Sequence, residues 1–65
     1  MQIYINDEVF LVSELTSAEQ AIAQFDAKPP FALALNGQFV AQQDYAHTQL
    51  KAGDRIDILS PIQGG

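Results

Sequence analysis

The chain has 65 residues, 48% of them hydrophobic, with eight acidic side chains against three basic ones for a formal charge of −5, and no cysteine. One small domain is the most that length allows, and folding at that size buries only about 60% of the chain surface. An enzyme acting alone would need a pocket of ~300 Å³ or more, which a thin core hardly supplies, so a binding or carrier module is favoured. The acidic surface repels phosphates and argues against nucleic acid as a partner. It favours basic protein surfaces instead. Without cysteine there is no disulfide, thiolate metal site or catalytic thiol. No signal-like segment precedes the first strand pattern and no apolar run approaches the ~18 residues of a membrane span, so the expected location is the cytoplasm.

In chain order, Gln2-Ile3-Tyr4-Ile5-Asn6 alternates and predicts a half-buried strand with Ile3 and Ile5 on the buried side. Asn6-Asp7 offers turn chemistry, and Glu8 to Ser13 continues as a second strand, giving a hairpin. The four consecutive apolar residues Val9 to Val12 leave the faces of that strand unassigned. Thr16-Ser17-Ala18-Glu19 fits a capping box with Thr16 at the N-cap. Ala18, Ala21, Ile22 and Phe25 then form one apolar helical stripe. Pro29-Pro30 stops the helix, which at about three turns must pack on a sheet to persist.

Phe31 to Leu35 predicts a third strand, and Asn36-Gly37 is a strong type I′ hairpin signal before the return strand Gln38-Phe39-Val40. Residues 41–50 have no clean period and read as a loop or a single helical turn. Gly53 marks a turn, and Arg55 to Leu59 predicts the last strand, with Ile56 and Ile58 on one face and Asp57 and Leu59 on the other. Pro61 ends ladder pairing. The order β-β-α-β-β-β predicts an α+β fold: one mixed sheet with a single helix across one face. Its inward set is Ile3, Ile5, Ile22, Phe25, Leu33, Leu35, Ile56 and Ile58.

Leu59 is expected on the open face as a partner-docking residue, the alternative being that it packs beneath residues 41–50. Tyr4 is also expected to face outward, and Phe39 is either core or partner surface. The single histidine, His47, has no cysteine or second histidine to share a metal with, and Asp54 and Asp57 are expected to be solvated.

The chain closes on Ile62-Gln63-Gly64-Gly65. Glycines pass narrow channels and visit dihedrals closed to other residues. Ser60 to Gly65 spans at most roughly 20 Å, enough to carry a terminal carboxylate into a buried site. A body of residues 1–60 and a tail of residues 61–65 are expected.

The opening Met1 to Asp7, the middle Ala32 to Val40, the stretch Leu50 to Leu59 and the final Gln63-Gly64-Gly65 together resemble the thiamine-biosynthesis sulfur carrier family, ThiS. The resemblance implies a ubiquitin-like β-grasp fold, with the last strand central and next to the first. It implies a carrier and not a catalyst. An adenylating enzyme related to ubiquitin-activating enzymes would use ATP and magnesium to turn the Gly65 carboxylate into an acyl adenylate. Sulfur from a protein persulfide would replace the adenylate, and the resulting thiocarboxylate would donate sulfur to thiazole synthase. Ile62, Gln63 and Gly64 would enter the partner's active site. The family often carries Pro-Arg and Trp after the fourth strand; here Gln42-Gln43-Asp44-Tyr45 stands there, and Tyr45 is expected to replace the Trp as a packing anchor. The small subunit of molybdopterin synthase, a ubiquitin-like modifier and an inert β-grasp interaction module are the competing readings.

Overall fold

A computed structural model describes residues 1–25 and 30–59. The elements are β1 (Gln2–Ile5), β2 (Glu8–Leu11), α1 (Ala18–Phe25), β3 (Ala32–Leu35), β4 (Gln38–Val40), a 3₁₀ helix η1 (Gln42–His47) and β5 (Arg55–Leu59). The strands form one sheet in the order β2-β1-β5-β3-β4, so the last strand is central and lies beside the first, as expected. β1 and β5 run parallel, while β1–β2, β3–β4 and β3–β5 are antiparallel.

Both hairpins turn through two residues with positive φ: Asn6 and Asp7 at 50° and 69°, Asn36 and Gly37 at 52° and 86°. That pattern defines a type I′ turn, whose twist matches the strands it joins. Register then fixes the faces left open by the sequence. Tyr4 pairs with Val9 and Gln2 with Leu11, so Val9 and Leu11 share the outward side of Tyr4, while Phe10 opposite Ile3 points to the helix.

On the helix side, Ile3, Ile5, Leu33 and Ile56 are buried beneath Ala18, Ala21 and Ile22 of α1. Phe25, Leu35 and Ile58 are partly buried against the same core, and Phe10 meets Phe25 edge-on at 5.7 Å. The inward set therefore stands. The core also takes Val12 and Leu50, which no period in the sequence marked.

The helix cap differs from the expected one. The Ser17 N–H donates to Gln20 Oε1 at 2.9 Å and the Gln20 N–H donates to Ser17 Oγ at 3.2 Å, a reciprocal capping box one residue later than Thr16/Glu19. Thr16 is taken by tertiary structure: it is buried, its hydroxyl contacts Ser13 Oγ, and its carbonyl accepts from the Leu50 N–H at 3.0 Å. Residues 42–47 form six residues of 3₁₀ helix, more than a single turn. Tyr45 is the buried anchor of that segment, with its ring stacked on Phe31 at 6.3 Å.

Candidate functional site

With the helix on one side, the other side of the sheet is open. Register places Val9 and Leu11 of β2, Gln2 and Tyr4 of β1, Arg55, Asp57 and Leu59 of β5, Ala32 and Ala34 of β3, and Phe39 of β4 on it. Four of the large apolar side chains there are well exposed: Val9, Leu11, Phe39 and Leu59.

Leu59 is 52% exposed and lies opposite Ala32. The 3₁₀ segment packs against α1, on the far side of the sheet, so Leu59 does not lie beneath residues 41–50. Phe39 is opposite Ala34. The two alanines of β3 thus form a low floor between Leu59 on one neighbouring strand and Phe39 on the other. The sequence left Phe39 open between core and surface; register makes it surface.

The end of β5 is held where β1 has already turned away. The Asn6 N–H donates to the Ile56 carbonyl at 2.9 Å, and the Ile58 N–H donates to Asn6 Oδ1 at 2.8 Å. The Asn6 side chain thereby imitates one more residue of backbone and adds a rung to the parallel ladder. This fixes β5 up to its end at Leu59, two residues before the expected tail begins. Ile62, Gln63, Gly64 and Gly65 lie outside the described residues, as does the boundary expected at residues 60 and 61.

The start of β5 is held by a second asparagine. Asn36 Oδ1 accepts from the Arg55 N–H at 3.0 Å, and the Asn36 N–H donates to the Arg55 carbonyl at 2.8 Å. Asn36 also donates to Asp54, whose other oxygen accepts from the Lys51 N–H at 2.8 Å. Asp54 is therefore a turn brace, while Asp57 is exposed on the open face. Arg55 stretches over the Tyr4 ring, 4.7 Å from its centroid, and its Nη1 donates to Asp7 at 3.2 Å.

On the opposite side, Glu19, Gln42, Gln43, Tyr45 and Ala46 line an open depression of ≈ 510 Å³ between α1 and η1. It holds one carboxylate and no nucleophile paired with a base. Among the described residues no group of three His, Cys, Asp or Glu side chains could hold a metal. His47 is exposed on η1. No helix among the described residues is long and apolar enough to cross a membrane.

A five-stranded mixed sheet with its last strand central, one helix across one face and an open opposite face defines a ubiquitin-like β-grasp domain. The ThiS family model matches residues 1–65, and the chain belongs to that family of small sulfur carriers of thiamine biosynthesis. Among solved structures, the crystal structure of the thiamine biosynthesis protein ThiS from Geobacter metallireducens superposes with a TM-score of 0.83 at 20% identity, covering 100% of both chains. No curated protein sequence matches the chain.

Proposed function

We propose that this protein carries sulfur on its C-terminal carboxylate for assembly of the thiazole ring of thiamine, and is not itself a catalyst. The observation that carries the reading is the family match, which runs through Gly64 and Gly65. A carboxylate is a poor electrophile, so sulfur cannot displace its oxygen without a better leaving group. Passing through an activated acyl intermediate divides one difficult step into two easier ones. An adenylating enzyme supplies ATP and magnesium and forms the Gly65 acyl adenylate. The outer sulfur of a persulfide donor then attacks the acyl carbon and AMP departs. A thiol reductant cleaves the resulting acyl disulfide, returning the donor thiol and freeing the thiocarboxylate, which goes to thiazole synthase in the cytoplasm.

Within this scheme residues 1–60 are the recognised body and residues 61–65 the reacting tail. Pro61 narrows the conformations of the tail root, which lowers the ordering cost on docking. Ile62, Gln63 and Gly64 thread the enzyme's channel, where glycine's missing Cβ gives clearance. Leu59, with Phe39 and the alanine floor, is the docking surface. The exposed leucine has no core to fill, and exposed apolar groups clustered on one face mark interaction sites.

The test is deletion of Gly65. The truncated protein is expected to keep its thermal unfolding profile and to lose the ATP-dependent exchange of one carboxylate oxygen for sulfur, read by intact mass with the activating enzyme, a persulfide donor and a thiol reductant. A truncated chain that still gains sulfur overturns the carrier reading. An isopeptide bond to lysine in place of sulfur identifies a modifier.

A further inference from the structure

Arg55 is the one basic side chain that register places on the open face among the described residues, and the whole chain has only three basic residues. It is positioned at both ends. Its backbone N–H and carbonyl are both bonded to Asn36, and its guanidinium is placed by the Tyr4 ring at 4.7 Å and by Asp7 at 3.2 Å. Tyr4 is steadied in turn, its hydroxyl accepting from Gln2 Nε2 at 3.0 Å.

These contacts do little for the fold. The Arg55 and Asp7 side chains are 59% and 87% exposed, and ion pairs in such settings contribute little to stability. Their effect is to hold an exposed cation still. A guanidinium has five N–H donors in a fixed fork, and the bond to Asp7 occupies one of them. Pre-ordering lowers the side-chain entropy lost when a partner binds. Along β5, Leu59 stands four residues further on the same face, about 13 Å away at strand spacing. Val9 is on the other flank, opposite Tyr4. The guanidinium thus lies over Tyr4 beside the Asp7 carboxylate, on the face it shares with Val9, Asp57 and Leu59.

We propose that Arg55 is the specificity-determining residue of the docking face, pairing through its guanidinium fork with a carboxylate of the adenylating enzyme. The proposal rests on the open face being the docking surface. The complementary strip on the enzyme is an acidic side chain flanked by apolar contacts. A carboxylate fits the fork through two parallel N–H bonds, whereas a lysine in place of Arg55 could offer only a point charge.

Direction makes the test sharp. Arg55→Gln makes this acidic chain more negative, so bulk attraction to a basic partner would strengthen binding. A specific pair requires the reverse. Affinity for the purified adenylating enzyme of the same organism is measured for Arg55→Gln, Arg55→Lys, Asp7→Asn and Leu59→Asp, with circular dichroism and melting temperature for each. Arg55→Gln is expected to keep the native spectrum and to weaken binding at least about tenfold. Arg55→Lys is expected to weaken it as well. Asp7→Asn, which leaves the guanidinium on Tyr4, is expected to change affinity less than about threefold. If Asp7→Asn weakens binding as much as Arg55→Gln, the pair acts within the fold and the proposal fails. If Leu59→Asp weakens binding while Arg55→Gln leaves it equal or tighter, the docking face stands and Arg55 is not its determinant. If neither variant changes affinity, the open face is not the docking surface and both readings fall.

Discussion

Leu59→Asp separates a docking leucine from a structural one, and the structure sets the scale. Leu59 is 52% exposed, so roughly half of the ~1.5–3 kcal/mol for burying a leucine is at stake, about 1 kcal/mol. Aspartate is also a poor strand residue, at up to ~1 kcal/mol on a measured range of that width. Asp57, two residues back on the same face, adds like-charge repulsion. The total is about 1–2 kcal/mol, against ~3–10 kcal/mol of stability for a domain of this length. At 4–8 °C per kcal/mol, the melting temperature should fall by roughly 4–16 °C and the native spectrum should survive at 25 °C. Leu33→Ala is the internal reference: Leu33 is fully buried, and such truncations cost about 2–5 kcal/mol. The assay is thermal unfolding of both variants beside a titration with the adenylating enzyme. Leu59→Asp should lose affinity out of proportion to its stability. If it destabilises as much as Leu33→Ala, or binds as the native protein does, the docking role assigned to Leu59 is wrong.

Ser17→Ala should cost about 1 kcal/mol in chemical denaturation, since it removes the N-cap acceptor seen in the structure. An unchanged denaturation midpoint would mean that Ser17 does not cap the helix. The association rate with the adenylating enzyme should fall between low and physiological salt, because screening shortens to about 8 Å at the latter and weakens the steering of an acidic chain. Stopped-flow rates independent of ionic strength would reduce the acidic surface to a solubility device.

Much of this architecture is legible where the physics is local. The Asn36-Gly37 turn, the stripe Ala18-Ala21-Ile22-Phe25 and the alternation of Ile56 and Ile58 depend on neighbours a few residues away, and all appear as read. The cap does not, because Thr16 and Ser17 are both competent and the choice is made by Leu50, which claims the Thr16 carbonyl from across the chain. The sides of Val9 and Leu11 were hidden in a continuous apolar run and emerge only from the pairing with β1. The open face is half legible. Leu59 follows from period 2, whereas the Arg55–Tyr4 contact depends on the parallel register of two strands far apart in the chain, which no local pattern encodes.

The central place of β5 also bears on when the protein becomes recognisable. Each hairpin can form early, because its turn joins adjacent strands and short loops close quickly. Within the sheet the two hairpins are joined through β5, which pairs with both β1 and β3. Contacts between distant parts of a chain carry a larger closure cost and form slowly. Until β5 inserts, Tyr4 has no Arg55 beside it, Ala32 has no Leu59, and the face is in two unconnected pieces. A newly released or partly unfolded copy therefore presents its terminal residues without the surface proposed to recommend them. An enzyme that reads that face before accepting the carboxylate would spend its ATP only on chains that have finished folding.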